Sequence, residues 1–147
     1  MLNRAGVSHK LDRTVSSKIH GCKNTNVIAR CHDLDFLVPA LQTVDMASNN
    51  IQVLVISPDS TTAIRLEQTA NALADPLHCP LHVRTYASTG KTLIRKDVDD
   101  IEKIQPHILF CTPGRLYDLL QKRKISVQKI RLLIVHQINH HLDYGFR

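Results

Sequence analysis

The sequence predicts one α/β domain built on a mostly parallel sheet with helices on its faces. Short apolar runs rich in β-branched residues alternate along the chain with stretches whose apolar residues recur at helical spacing. The run Val53-Leu54-Val55-Ile56 is apolar at every position, which is typical of a strand buried on both faces of a parallel sheet. The connections are short, and a length of 147 residues suits a single domain.

Strands and helices are predicted in strict alternation. A strand is assigned to each short apolar run, and a helix to each stretch whose apolar residues are three or four positions apart. The strands are residues 26–30 (NVIAR), 51–57 (IQVLVIS), 81–86 (LHVRTY), 107–111 (HILFC) and 131–136 (RLLIVH). The helices are residues 35–46, apolar at Phe36, Leu37, Ala40 and Leu41; 60–74, apolar at Ala63, Leu66, Ala70 and Leu73; 92–104, apolar at Ile94, Val98, Ile101 and Ile104; and 115–122, apolar at Leu116, Leu119 and Leu120.

The composition excludes several classes of protein. Hydrophobic residues make up 43% and charged residues 22% of the chain, as in a folded domain rather than a disordered one. No apolar run approaches the ~20 residues of a membrane span, and the first residues lack the apolar segment of a signal peptide. The sequence therefore predicts a cytoplasmic protein, with the nucleus as the alternative, and no membrane partner.

The charge favours a polyanion as the partner. The formal net charge is +6, and the sequence pI is near 9.4. Aromatic residues make up only 4%, so bases have few platforms on which to stack. The four cysteines show no C-x-x-C spacing and are expected to be small buried apolar side chains.

Three loops are expected to share one edge of the sheet. Ligands of parallel sheets bind beyond the carboxyl ends of the strands. Residues 57–60, 88–91 and 112–115 each follow a predicted strand, so the sequence places them together at that edge.

An ordered set of motifs resembles the first RecA-like domain of the DEAD-box RNA helicases. Residues 108–116, ILFCTPGRL, resemble that family's strand, TPGR loop and helix start. Residues 53–58 followed by Ala63 resemble motif Ia, 88–90 stand at the double-glycine motif, and 129–135 with 142–146 resemble the surroundings of the DEAD box. Residues 26–30 and 36–41 resemble the flanks of the phosphate loop. The resemblance covers about residues 20–147 and implies a RecA-like, P-loop NTPase-type fold.

The phosphate loop itself is missing from this pattern. Such a loop needs glycines for close backbone approach, a lysine on the phosphates and a hydroxyl on Mg²⁺. Here the flanks are joined by Cys31-His32-Asp33-Leu34-Asp35, which holds no glycine, lysine, serine or threonine and carries two acids that repel a triphosphate. ATP and Mg²⁺ are the cofactors the resemblance implies, and this loss predicts that neither is held.

The second motif of the ATPase reaction is also replaced. Where the family has Asp-Glu-Ala-Asp, this chain has His136-Gln137-Ile138-Asn139. The family's first two carboxylates hold Mg²⁺ and position the attacking water. No Asp or Glu occurs from Leu119 to Leu142, so no near neighbour replaces them. The two losses together predict no catalytic residues and no ATP hydrolysis.

The resemblance implies RNA binding by two of the loops. The family's TPGR loop and helix start contact the RNA backbone, and Thr112, Pro113, Gly114 and Arg115 retain a hydroxyl, backbone N–H groups and a guanidinium for that purpose. Gly90 and Lys91 are expected next along the same edge. The structural alternative is that Pro113 and Gly114 only make the turn.

Three functions follow as hypotheses. The first is a catalytically inactive helicase-like domain that binds RNA weakly and without sequence preference or serves as a protein-interaction scaffold. The second is an ATPase completed by a partner or other parts of the protein, with nucleotide held by Thr89-Gly90-Lys91-Thr92 because residues 85–92, TYASTGKT, differ by one residue from G-x-x-x-x-G-K-T. The third is a decayed fragment. Residues 1–147 are expected to be one RecA-like domain with the family's second RecA-like domain absent.

Two further patterns in the sequence each suggest a more specific function. His136, His140 and His141 with Asp143 suggest a zinc site, against which stands the reading of ordinary surface or capping histidines; no metal site is predicted. Residues 28–41 also resemble the Tudor-containing helicase-like proteins of the germline piRNA pathway, which implies a germline granule as another location.

Overall fold

The computed structural model describes residues 19, 30–74 and 84–143, the side chains of Leu142 and Asp143 excepted. The chain divides into two compact units after Thr43. The first unit contains helix α1 (Asp33–Thr43), in which Phe36, Leu37 and Ala40 are buried. The second unit contains all the remaining elements described below.

The second unit is a parallel sheet of four strands in the described residues. The strands are β1 (Val53–Ile56), β2 (Thr85–Ser88), β3 (Ile108–Cys111) and β4 (Leu132–Val135). Their order is β2-β3-β1-β4, and every pair is parallel. Val53 lies opposite both Ile108 and Leu132, so the strands are in level register and their carboxyl ends meet at one edge. The predicted α/β fold with a mostly parallel sheet is confirmed.

The helices of the second unit alternate with these strands. They are α2 (Ser60–Ala74), α3 (Ile94–Ile104), α4 (Pro113–Gln121) and the short α5 (Ile138–Asp143). The bounds predicted for α2 are those observed. In the first unit, α1 begins two residues before the predicted start and ends three residues before the predicted end. Helix α5 was not predicted from the sequence.

Strand β2 lies later than predicted. Residues 81–83 of the predicted strand are outside the described residues, as are 26–29 of the first predicted strand, and Arg30 is not in a strand. The observed strand extends to Ser88 because Ala87 and Ser88 pair with Phe110 and Cys111 of β3. Ser88 therefore ends a strand rather than beginning a loop.

The hydrophobic core of the second unit includes a cluster packed between the sheet and helices α3 and α4. One cluster joins Leu54, Leu109 and Cys111 of the sheet to Val98 and Ile101 of α3 and Leu119 of α4. Burial raises the pKa of the Cys111 thiol to about 12, so this cysteine behaves as the expected apolar side chain. Cys31 is exposed, contrary to that expectation, and Cys22 and Cys79 lie outside the described residues. Within the part of the chain that is described, no helix combines the length and apolarity that a membrane span requires.

A buried histidine stabilises the amino edge of the sheet. His107 is fully buried just before β3, and its Nδ1 accepts a hydrogen bond from the Arg84 backbone N–H at 3.1 Å. Its Nε2 faces the Arg84 guanidinium at 3.1 Å. Both neighbours are donors, and a protonated imidazole has no acceptor. Burial, followed by the Arg84 charge, therefore lowers the pKa of His107 below its usual 6.5.

We expect acid to destabilise the domain through His107. As the pH falls below about 6.5, the unfolded chain binds this proton before the folded chain does, so stability is lost until the pH reaches the lowered pKa of the folded state. Thermal melts between pH 7.5 and 5.5 test this. His107→Asn keeps an acceptor for the Arg84 N–H but cannot titrate, and its melting temperature should fall less over that range. An identical pH dependence in both proteins would contradict the prediction.

Candidate functional site

The loop after β1 is ordered by its own side chains. Asp59 Oδ1 accepts the backbone N–H of Thr62 at 2.8 Å, and the Thr62 hydroxyl donates to Oδ2 at 2.8 Å. The Thr62 N–H, more than any other neighbour, lowers the pKa of Asp59. Asp59 thus serves as the amino-terminal cap of α2, which begins at Ser60.

Three loops meet at the carboxyl edge, as predicted. The Thr89 carbonyl oxygen accepts a hydrogen bond from the Ser60 hydroxyl at 3.0 Å and a long one from the Thr112 hydroxyl at 3.5 Å. Ser60 follows β1, Thr89 follows β2 and Thr112 follows β3. The stretches that resemble motif Ia, the double-glycine motif and TPGR are therefore joined at a single carbonyl group.

A buried carboxylate lies behind these loops. Asp97, in the first turn of α3, is 1% exposed. Its Oδ2 accepts the Ser88 hydroxyl at 2.5 Å, and its Oδ1 accepts the hydroxyls of Thr92 and of Tyr86, the latter at 3.2 Å. Burial and the nearby Asp97 charge raise the pKa of Tyr86, which keeps that hydroxyl a donor.

Arg115 completes this cluster and is not exposed. Its Nη2 donates to the Thr92 carbonyl at 2.5 Å, and its Nε lies 3.4 Å from Asp97 Oδ2, within ion-pair range but outside hydrogen-bond geometry. The side chain is 6% exposed. The structure places the Arg115 guanidinium inside the domain, turned toward the Asp97 carboxylate, and the assignment of this residue to RNA stays a prediction.

The other residues assigned to RNA lie at the surface of the same edge. Gly90, Lys91 and Gly114 are exposed, and Thr112 and Pro113 are half-buried. Pro113 is the first residue of α4, where its missing N–H costs no helical bond. Gly90 has a φ of +80°, a backbone conformation that favours glycine. The structure thus brings Gly90, Lys91, Thr112, Pro113 and Gly114 to one edge, with Arg115 beneath them.

In the first unit, a buried carboxylate accepts a backbone N–H group at the start of α1. Asp35 Oδ2 accepts the backbone N–H of His32 at 2.9 Å, and the Asp35 side chain is buried. A phosphate at a helix start is bound by such backbone N–H groups. The chain supplies its own anion there, and Asp33 adds a second negative charge in the same turn.

The segment after β4 is held in place by two contacts of the His136 backbone. The His136 N–H donates to the Ile56 carbonyl at 2.8 Å, and the His136 carbonyl faces His141 Nε2 at 2.9 Å. Gln137, Ile138 and Asn139 are exposed. His136 precedes α5, so it does not share a helix face with His140 as a zinc site would require. Among the described residues no group of three or more histidine, cysteine, aspartate or glutamate side chains is arranged to hold a metal ion.

The alternative phosphate loop at residues 85–92 is divided between two kinds of structure. Thr85, at the position of the first glycine, is buried in β2 and donates to Asn71 Oδ1 at 2.6 Å. Only the residues from Thr89 onward form a loop, and the Thr92 hydroxyl is bonded to Asp97 rather than available to a metal. The geometry does not fit a loop that wraps a phosphate.

Asp97 is the residue behind the carboxyl edge that the sequence analysis did not identify. It lies three residues after Ile94 and four before Ile101, on the face of α3 that is otherwise apolar. An acid on the buried face of an amphipathic helix requires a partner. That irregularity was the available signal, and Arg115 is the partner.

The chain is similar in sequence to known RNA helicases. Residues 34–147 match the family described as DEAD/DEAH box helicase. The chain is 34% identical over 112 residues to eukaryotic initiation factor 4A of Cryptosporidium parvum, covering 76% of this chain and 26% of that protein. It is 27% identical over 131 residues to the ATP-dependent RNA helicase fal1 of Schizosaccharomyces pombe, covering 86% and 32%.

A solved structure shows the same fold. The yeast DEAD-box splicing factor Prp28 superposes with a TM-score of 0.70 at 16% identity, over 78% of this chain and 28% of that one. The chain thus spans about a quarter to a third of the relatives' length. Because the family match covers residues 34–147, most of the chain, this protein belongs to the DEAD/DEAH box helicase family.

Proposed function

We propose that this domain binds the sugar-phosphate backbone of single-stranded RNA at the carboxyl edge of its sheet and does not hydrolyse ATP. The observation that carries the RNA part is the junction at the Thr89 carbonyl, which joins the loops of motif Ia, the double-glycine motif and TPGR. Lys91 is exposed beside this junction, and the start of α4 adds backbone N–H groups.

The sequence and the structure support the loss of catalysis at two separate places. The Asp35 carboxylate occupies the backbone N–H of His32, where a phosphate loop would offer its amides to ATP. His136 and Gln137 supply no carboxylate for Mg²⁺ at the end of β4. Either change alone would impair the reaction, and repairing one leaves the other in place.

A scaffold role is the second candidate, and one observation favours it. The expected RNA ligand Arg115 is paired inside the domain, so fewer cations reach RNA than the TPGR motif suggests. If the domain served only to dock proteins, Lys91→Ala would leave its affinity for RNA unchanged. The cytoplasmic or germline-granule location and the likeness of residues 28–41 to piRNA-pathway proteins stay predictions.

The proposal is tested by measuring the affinity of the parent protein and of the Lys91→Ala variant for single-stranded RNA. An exposed ion pair contributes up to about 1 kcal/mol, so binding should weaken by up to about fivefold, alike for all sequences. Lys122→Ala is the matched control, because Lys122 is an exposed cation at the far end of α4 and its loss should matter less. Equal effects of the two substitutions, or no RNA binding by either protein or the parent, would contradict the proposed site.

A further inference from the structure

We propose that Asp97 is a positioning residue for the RNA-binding edge. It fixes the Arg115 guanidinium in place, and the backbone of residues 89–92 packs against that guanidinium. This inference rests on the proposed RNA binding and says what sets the position of Lys91 relative to the start of α4. Asp97 itself is 1% exposed, so its carboxylate is not accessible to RNA.

Asp97 joins three segments that are far apart in the chain. Its carboxylate accepts from Ser88 at the end of β2 and from Thr92 in the following loop, and pairs with Arg115 of α4. Each segment borders the surface assigned to RNA. Loss of this carboxylate would remove the contact that all three segments share.

The loop that carries Lys91 packs on the Arg115 guanidinium. Arg115 Nη2 donates to the Thr92 carbonyl at 2.5 Å. A Cβ atom built on Gly90 would lie 3.6 Å from the same nitrogen, so the loop backbone also packs over the guanidinium at Gly90. Lys91 is the residue held between these two contacts.

The Asp97 charge also controls the direction of the Arg115 guanidinium. A guanidinium beneath a phosphate-binding surface would itself attract a phosphate if it could turn outward. The buried carboxylate keeps it inward, so Arg115 acts on geometry and Lys91 remains the exposed cation at that point of the loop. Asp97 therefore decides which of the two cations meets the RNA.

The test is a double-mutant cycle on RNA affinity at low salt. In the parent protein Lys91→Ala should weaken binding about three- to fivefold. In an Asp97→Asn background the neutral amide no longer holds the Arg115 guanidinium inward, so Arg115 can turn toward the RNA and compensate for Lys91, and the same substitution should change affinity less than about 1.5-fold. Thermal melts accompany each protein, and Asp99→Asn on the exposed side of α3 is the control that should leave the Lys91 effect intact.

Each result decides one question. If the parent binds no RNA, the proposed function fails; if Lys91→Ala weakens binding by the same factor in both backgrounds, the function stands and the positioning role is wrong. If Asp97→Asn does not fold, Thr92→Val replaces it, since that change removes the loop's hydroxyl bond to Asp97 and keeps the Arg115 pair. The Lys91 effect should then fall by at least about half, and an undiminished effect overturns the proposal.

Discussion

Replacing Asp97 by alanine is expected to lower the free energy of unfolding by about 3–5 kcal/mol. The substitution leaves the Arg115 guanidinium, 6% exposed, without the carboxylate that neutralises it. It also removes the acceptor of the Ser88 and Thr92 hydroxyls, and one of the two carboxylates that accept from the Tyr86 hydroxyl, the other being Asp100. For a domain of this size such a loss is a large fraction of the total stability. Urea denaturation followed by circular dichroism measures it.

Two further variants show which part of the loss is due to charge. Asp97→Asn retains an acceptor oxygen and should cost about 1.5–3 kcal/mol, in the range of a hydrogen bond to a charged group. Asp99→Ala removes an exposed acid from the same helix and should stay within about 0.5 kcal/mol of the parent. A change below about 1 kcal/mol for Asp97→Ala would mean that the carboxylate and guanidinium are not paired in solution.

RNA affinity is expected to fall steeply with salt. Each phosphate neutralised on a single strand contributes about 0.7 to the slope of log affinity against log salt concentration. For two to four phosphates at the carboxyl edge, raising the salt from 50 to 200 mM should weaken binding about 7- to 50-fold. The net charge of +6 and the exposed Lys91 are the physical basis. Fluorescence anisotropy with a labelled oligonucleotide measures the slope.

The Lys91→Ala protein provides the comparison for this slope. Losing one phosphate contact should reduce the slope by about 0.7 and leave the sequence dependence unchanged. A flat salt dependence would point to base stacking or apolar contacts instead. In that case the affinity would not depend on the cations of the loop, and the assignment of the carboxyl edge to phosphates would be wrong.

The fold could be predicted from the sequence because its elements are locally encoded. The uninterrupted apolar run of β1 and the regular spacing of Ala63, Leu66 and Ala70 in α2 follow directly from which residues are buried in each element. Such patterns can be recognised within one short segment of the sequence. The end of β2 could not be read in this way. Ala87 and Ser88 are strand only because β3 lies beside them, and pairing with a distant strand leaves no local mark in the sequence.

The site could be predicted as a group of loops but not as a set of side-chain directions. The strand order brings the residues after β1, β2 and β3 together, which the spacing of motifs indicated. The direction of Arg115 depended on a carboxylate 18 positions earlier that happens to face it, and a motif alone does not show such a partner. The exposure of Cys31 was missed for a similar reason, since cysteine is compatible with both environments.

Binding of ATP in the presence of Mg²⁺ is the measurement that tests the loss of catalysis most directly. A fluorescent ATP analogue is titrated into the domain with Mg²⁺, and phosphate release is followed with RNA present. We expect no saturable binding up to about 1 mM and no release above the blank, and the same from a variant carrying His136→Asp and Gln137→Glu, because the phosphate loop would still be missing. Micromolar, Mg²⁺-dependent binding, or RNA-stimulated turnover that Lys91→Ala abolishes, would contradict the proposal and establish a nucleotide site in this domain.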